Sequence, residues 1–250
     1  MQGDAAALQD ALVGAWDVLL DAFSGAHGER RSDLLIAFGP GIPIPQCNGP
    51  WVLEDTDAAA AALGGAIDEV AATGEQPWVQ TRASQTRAHA ALRELGLVEG
   101  PRLPGMVLRP GELVEPAVEL EIARVAPDDV DEANAVLAEA FGAPKEFFDV
   151  FCGVLAALPH AAWYVGRRDD AIVSTAVGFT VGNATGIYNV ATPPEYRGRG
   201  YGAALTARAV RDGFERGAEL VYLQSSEAGH GVYRRLGFRD VEEYVLFTRA

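Results

Sequence analysis

Cysteine, histidine and long apolar runs are scarce in this chain. The two cysteines, Cys47 and Cys152, are far apart and form no metal-type pair, so we expect reduced thiols in a cytoplasmic protein. The four histidines are scattered, which disfavours a metal site. No apolar run reaches the roughly 18 residues that span a bilayer, and the acidic N-terminus MQGDAAALQD lacks the basic segment of a signal peptide. These absences predict a protein without a metal and without a membrane partner.

Basic charge is also in short supply. The chain has 20 Lys and Arg against 35 Asp and Glu, a net charge of −15, which disfavours binding to nucleic acid. The excess acid either keeps the protein soluble or attracts a cationic substrate such as an amine, and both explanations stay open. The hydrophobic share of 49% over 250 residues is typical of a globular protein with one large domain or two small ones.

Helical and strand-like patterns alternate on both sides of a proline-rich stretch. That stretch is PRLPGMVLRPGELVEP, at 101–116, and it predicts a boundary between domains 1–115 and 116–250. In the second domain, alternating residues predict a strand over 118–125. Asp128 or Asp129 is expected to cap the helix that follows.

An internal echo connects the two halves. WVQTRASQTRAHAALRELGL at 78–97 resembles LVYLQSSEAGHGVYRRLGF at 220–238. Both predict a strand, a polar turn and a helix that ends in Leu-Gly before another strand. The first copy has Leu92 where the second has Tyr233. One half is therefore expected to keep the chemistry, and the other only the scaffold.

The most informative stretch is VATPPEYRGRGYGAALTARAV, at 190–210. It places three glycines and two arginines between a predicted strand and a predicted helix. Glycines let the backbone curl so that several N–H groups point into one concavity, and a helix N-terminus attracts anions. Arg197 and Arg199 add donors that suit phosphate oxygens. The stretch therefore predicts a phosphate or pyrophosphate site, the alternative being a flexible surface turn.

Other phosphate-binding motifs fit less well. The chain has no G-x-x-x-x-G-K-[ST], so a P-loop nucleotidase is not supported. The glycine spacing is G-x-G-x-G and not G-x-G-x-x-G. Glu227 does follow the next predicted strand, as a ribose-binding acid does in a dinucleotide fold, but the preceding chain reads as a meander.

The stretch ATPPEYRGRGYGAAL resembles the signature of the GNAT acyltransferase superfamily. The family pattern is Arg/Gln-x-x-Gly-x-Gly/Ala after the fourth strand, and residues 197–202 match it fully. The family's tyrosine before Leu-Gly-Phe is similar to Tyr233 in GVYRRLGF. The resemblance covers about residues 118–250. It implies an α/β (α+β) GNAT fold, with a central mixed, mostly antiparallel sheet and flanking helices in the C-terminal half.

The resemblance implies an acetyl-CoA-dependent N-acetyltransferase in which an amine attacks the thioester directly. Tyr233 would protonate the departing thiolate, and the N–H near Val190 would polarise the acetyl carbonyl. Tyr233 could instead be a packed aromatic, and Ser225 a helix cap. The residues implied in binding acetyl-CoA are Val190, Ala191, Thr192, Arg197, Gly198, Arg199, Gly200, Tyr201, Gly202 and Ser225.

Several points stay open at this stage. The general base is unassigned among Tyr188, Asn189, Glu139 and Glu146. The acceptor is a small-molecule or peptide amine, and the acidic balance leans towards a cationic one. The N-terminal half is a degenerate GNAT-like unit or an unrelated α/β cap. A non-catalytic coenzyme A sensor, a different acyl-CoA donor and a homodimer are each compatible with the sequence.

Overall fold

The computed structural model of the protein describes residues 2–42, 44–126, 130–169 and 171–249. The predicted cap at Asp128 or Asp129 lies outside these ranges. The helices are α1 (Gln2–Ala22), α2 (Asp57–Ala71), α3 (Thr86–Glu94), α4 (Val130–Phe141), α5 (Lys145–Ala157), α6 (Tyr201–Glu215) and α7 (Glu227–Arg235). The strands are β1 (His27–Arg31), β2 (Leu34–Phe38), β3 (Gly49–Val52), β4 (Trp78–Arg82), β5 (Leu97–Leu108), β6 (Glu121–Arg124), β7 (Ala161–Arg168), β8 (Ala171–Val181), β9 (Ala184–Ala191), β10 (Leu220–Gln224) and β11 (Arg239–Arg249).

The chain forms two compact units, each assembled from two segments. Unit 1 comprises residues 1–15 and 106–241, and unit 2 comprises residues 16–105 and 242–250. The strand order is β5-β10-β9-β8-β7-β6 in unit 1 and β1-β2-β3-β4-β11 in unit 2. Most pairs are antiparallel, while β9–β10 and β3–β4 are parallel. This confirms the predicted fold class, while the division at residue 115 stays a prediction.

Unit 1 is organised around the meander β7-β8-β9 and the helix α6. Alternate residues of the strands point towards α6, as the two-residue period of a strand requires, and they meet small and branched side chains of the helix. The resulting cluster includes Tyr164, Ala176, Ile187, Leu205, Val210, Val221, Leu223, Leu236 and Phe238, all at most 4% exposed. This packing holds the start of α6 beside the end of β9.

Unit 2 has its own apolar core, completed by the last residues of the chain. Residues 244–248 of β11 pair antiparallel with β4, and they contribute Val245 and Phe247, both fully buried. Their partners come from β2, α2 and α3, among them Ile36, Leu63, Ile67 and Leu92. The predicted echo is confirmed at the level of elements, since β4-α3-β5 and β10-α7-β11 follow the same order.

Three findings bear on the predicted absences. In the described ranges, none of the helices combines the length and apolarity that a bilayer crossing needs. Within the same ranges, His, Cys, Asp and Glu side chains form no group that could hold a metal ion. Cys47 and Cys152 are free and buried, and burial raises the pKa of each thiol to about 12.

Asp4 ties the first turn of α1 to two other segments of unit 1. Its carboxylate accepts from Arg109 Nη2 at 2.8 Å and from Arg239 Nη1 at 3.1 Å. The hydrogen bond from Arg109 is the main reason that its pKa is lowered. We expect Asp4→Asn to lower the free energy of unfolding by about 1 kcal/mol at neutral pH, measured by urea denaturation.

The pH dependence has a definite sign. A lowered pKa means that the ion pairs stabilise the fold above the unfolded-state pKa of about 3.9 and lose this effect as the pH falls through the folded-state value. The difference between wild type and Asp4→Asn should therefore vanish in strong acid. Asp10→Asn, on the exposed face of the same helix, is the matched control. Equal losses in both variants would contradict this role for Asp4.

Candidate functional site

The loop between β9 and α6 forms a concave run of backbone amides. Gly198 and Gly200 have positive φ angles of 77° and 80°, a conformation that glycine adopts without strain. Gly200 is the N-cap of α6, and no side chain caps this helix end. The amides of 198–200 donate to no backbone acceptor among the described residues, and those of 201–203 lie in the first helical turn, where amides have no intrahelical partner. This arrangement can bind an anion.

The three glycines of the loop differ in the space around them. A Cβ at Gly200 would lie 2.6 Å from Val118 Cγ2, whereas one at Gly198 would meet nothing within 4 Å. At Gly202 a Cβ would be 3.4 Å from Val190 Cγ1, an ordinary contact. The loop is therefore packed against Val118 at Gly200 and open at Gly198.

The two loop arginines donate to backbone carbonyls of the protein itself. Arg197 Nε donates to Thr192 O at 3.0 Å, and its Nη2 donates to Ala140 O at 2.7 Å, near the end of α4. The last carbonyls of a helix lack intrahelical partners and favour a cation. Arg199 Nη2 donates to Glu195 O at 3.2 Å. Arg197 thus fixes the loop to α4, a role that the sequence did not predict.

A β-bulge shapes the end of β9. Thr175 pairs with Ala191 but Val177 pairs with Tyr188, so two residues of β9 oppose a single residue of β8. Asn189, at the bulge, has φ of 51°, which is uncommon for a residue other than glycine. Its carbonyl accepts from Thr175 Oγ1 at 3.0 Å. A bulge leaves one residue outside the ladder, so an amide at 189–190 is released from pairing with β8.

The parallel strands β9 and β10 separate at the same end. Their pairing runs from Leu220–Ala184 to Tyr222–Gly186, yet β9 continues to Ala191 and β10 to Gln224. The unpaired ends leave a gap between the strands, beside the start of α6. An extended chain of amide groups can lie in such a gap and pair with the free strand edges.

Tyr233 lies on α7 and is half-buried. Burial raises the pKa of its hydroxyl to about 12, so the phenol is neutral at physiological pH. The ring packs edge-on against Phe238, with 6.0 Å between centroids. Within the described part of the chain, no hydrogen bond engages the Tyr233 hydroxyl, which leaves it free for a ligand.

Ser225 lies just before α7 but does not cap this helix. It is fully buried, and its hydroxyl donates to Ser226 O at 2.7 Å. The N-cap of α7 is Ser226, whose hydroxyl accepts from Gly229 N at 3.2 Å. Contact between Ser225 and a ligand stays a prediction. The preceding residue, Gln224, has a buried amide nitrogen with no partner among the described residues, and the sequence analysis did not single it out.

The candidate bases differ in their surroundings. The hydroxyl of Tyr188 lies 3.1 Å from that of Tyr222, and its pKa is raised to about 12, mainly by burial. Asn189 Nδ2 donates to Cys152 Sγ at 3.4 Å. Glu139 and Glu146 are exposed on α4 and α5. A phenol with so high a pKa is a poor base at neutral pH, and no residue is assigned.

In unit 2, protein side chains bridge the corresponding gap between β3 and β4. Arg82 Nη2 donates to Leu53 O at 2.8 Å, and Gln85 Nε2 donates to Val52 O at 2.9 Å. Asp55 accepts from two amides at the start of α3, those of residues 87 and 88. The helix α2 is capped by Thr56. At the positions where unit 1 has amides without a backbone partner in the described ranges, unit 2 has Asp55 and strand carbonyls that already accept hydrogen bonds from side chains.

Comparison with known proteins finds one matching family model and several solved structures with a similar fold. Residues 130–238 match the model of the acetyltransferase (GNAT) family. No protein with a curated description matches the chain.

Solved structures resemble the chain over nearly its whole length. A GCN5-related N-acetyltransferase from Kribbella flavida is 22% identical, with a TM-score of 0.71, 96% of this chain covered and 95% of the other. A GCN5-related N-acetyltransferase from Sphaerobacter thermophilus is 21% identical, with a TM-score of 0.61 and coverages of 89% and 75%. A conserved protein of unknown function from Staphylococcus epidermidis ATCC 12228 is 14% identical, with a TM-score of 0.66 and coverages of 92% and 96%. At these identities the likeness concerns the fold.

Proposed function

We propose that this chain, whose residues 130–238 match the model of the acetyltransferase (GNAT) family, transfers an acetyl group from acetyl-CoA to an amine. The observation that carries the proposal is the run of amides at 198–203, beside the gap between β9 and β10. Those of 198–200 donate to no backbone acceptor in the described ranges, and those of 201–203 lie in the first turn of α6. An anion cradle next to two free strand edges suits a ligand with a pyrophosphate and an extended amide-bearing arm.

The residues of unit 1 fit such a ligand in three places. The amides of 198–203 would bind the pyrophosphate, and the open space at Gly198 leaves room for its oxygens. Val190, Ala191 and Thr192 would pair with the pantetheine arm through their backbone. When bound, acetyl-CoA supplies the activated acetyl group. Arg197 would hold the loop in place through its hydrogen bond to Ala140 O, and its contact with the phosphate stays a prediction.

The chemistry then needs a polarised carbonyl and an acid. The amide released by the bulge at 189–190 donates to the thioester oxygen, where negative charge develops during attack. The amine nitrogen bonds to the acetyl carbon as the carbon–sulfur bond breaks. Tyr233 donates its proton to the sulfur, which suits a phenol held neutral by burial. The proton that the amine loses goes to water or to a base not yet identified.

The test is a thiol-release assay with acetyl-CoA over small-molecule and peptide amines, with mass spectrometry of the products. The expected result is amine-dependent release matched by N-acetylated product. Binding of acetyl-CoA without release on any amine would instead support a non-catalytic sensor. Faster release of the coenzyme A thiol from propionyl-CoA or succinyl-CoA than from acetyl-CoA would show that the acyl donor is a different acyl-CoA. The acidic composition leads us to include cationic amines such as polyamines.

A homodimer stays a prediction.

A further inference from the structure

Unit 1 contains a buried polar group that the proposed mechanism does not use. Gln224 is the last residue of β10, and its Nε2 is buried without a hydrogen-bond partner among the described residues. A buried donor left unpaired is unfavourable, and most buried polar groups in proteins have partners. A buried, unpaired donor at Gln224 therefore suggests a partner from outside the chain.

The position of Gln224 places it at the gap. It lies two residues beyond Tyr222, the last residue of β10 that pairs with β9. Side chains alternate along a strand, so Gln224 shares a face with Tyr222, while Val221 and Leu223 pack in the cluster with α6. The amide of Gln224 thus faces the gap from the side away from α6.

The other polar groups on this side already have partners. Tyr222 donates its hydroxyl proton to Ala11 O at 3.2 Å, and the hydroxyl of Tyr188 lies 3.1 Å from that of Tyr222. Asn189 Nδ2 donates to Cys152 Sγ. Among these groups, Gln224 alone offers a donor with no partner.

We infer that Gln224 binds the acyl acceptor, through a hydrogen bond to an oxygen close to the reacting amine. The inference rests on the proposed function. The phosphate cradle belongs to α6, which packs on one face of the sheet, so the donor substrate enters from that side and the acceptor meets Gln224 from the other. A neutral amide donor suits a carbonyl, carboxylate or carboxamide oxygen. The acceptor class is therefore an amine that carries such an oxygen a few bonds away, as amino acid amides and peptide N-termini do.

The experiment uses two amines that differ by one group, phenylalanine amide and 2-phenylethylamine. Gln224→Met removes the amide at similar volume, and Gln224→Glu keeps the shape but replaces the donor. We expect either variant to lower kcat/KM about 10-fold or more for the carboxamide and less than about threefold for 2-phenylethylamine. Because the two amines differ in pKa, the quantity compared is the change in their ratio between wild type and variant.

Two further readouts separate binding of the acceptor from a structural role. The KM for acetyl-CoA should stay within about threefold, and the Tm of Gln224→Met should not fall, because removing an unpaired polar group does not destabilise a fold. Gln76→Met, an exposed glutamine of unit 2, is the control and should change neither ratio nor KM.

Each contrary outcome is distinct. Equal losses on both amines, a raised KM for acetyl-CoA, or a wild type that acetylates only amines without a nearby oxygen would overturn the inference alone. Absence of release with every amine would overturn the proposed function, and the inference would fail with it.

Discussion

Replacing Tyr233 with phenylalanine is expected to lower kcat by about 100-fold or more, while the Kd for coenzyme A stays within about threefold. General acids contribute about 10²- to 10⁴-fold to catalysis, and the phenylalanine ring keeps the edge-on contact with Phe238. The hydroxyl has no partner within the described ranges, so its loss breaks no bond of the fold. Steady-state kinetics and calorimetry measure the two quantities.

Tyr164→Phe is the matched control for this substitution. It removes a phenol of unit 1 that donates to Asp212 at 2.6 Å and that lies on β7, which does not border the gap. It should lower Tm and leave kcat nearly unchanged. If Tyr233→Phe kept full kcat, Tyr233 would not be the acid.

The acid should also work over a wide pH range. Tyr233 is active in its protonated form, and burial raises its pKa to about 12. Activity that depends on this proton is therefore present at neutral pH and is lost only as the pH rises towards that value. We expect kcat to show no fall between about pH 8 and about pH 10, the usual pKa of tyrosine. A fall within that range, absent in Tyr233→Phe, would contradict the raised pKa.

Gly200→Ala is expected to raise the Kd for acetyl-CoA at least about 10-fold. A φ of 80° costs an L-residue about 1–2 kcal/mol, and the new Cβ would lie 2.6 Å from Val118 Cγ2. Relief of either strain turns the amides of the loop away from a common centre. Calorimetric titration with desulfo-coenzyme A measures this loss without turnover.

Gly202→Ala provides the control for this loop. Its Cβ would approach Val190 Cγ1 at 3.4 Å, and α6 gives it a helical backbone, so the Kd should change by less than about threefold. Adding Val118→Ala to Gly200→Ala should recover part of the affinity, because it removes the clash but not the strained φ. Equal effects of the two glycine substitutions would show that the cradle is not set by Gly200.

The sequence predicted those elements that local residue patterns are enough to identify. The glycines of 198–202 and the strand–loop–helix order marked the cradle, and the echo of 78–97 in 220–238 marked the repeated elements. The strand β1 was missed because HGERR is polar and exposed throughout. The strand β3 was missed because Gly49–Pro50 predicts a break. The strand β5 runs from Leu97 to Leu108, into the proline-rich stretch that was interpreted as a domain boundary, because proline is uncommon within strands.

Long-range contacts explain the rest. One hydrogen-bond partner of Arg197 is a carbonyl 57 residues away, so the sequence could not reveal that this side chain holds the end of α4. The strand β10 ends at Gln224, directly before Ser225. The resemblance implied Ser225 as a ligand contact, whereas the alternation of side chains from Tyr222 places Gln224 at the gap. The sequence also does not show that Arg82 and Gln85 fill the gap in unit 2, because their partners lie 29 and 33 residues away.

The most direct measurement is a calorimetric titration of the purified protein with acetyl-CoA. The structure predicts one site per chain. In unit 1 the amides of 198–200 have no backbone acceptor among the described residues, whereas in unit 2 side chains occupy the corresponding gap. Saturable binding with a stoichiometry near one, weakened in Gly200→Ala, would support the cradle and the function built on it. No heat of binding, or two equal sites, would contradict the central claim that this loop is the acyl-CoA site.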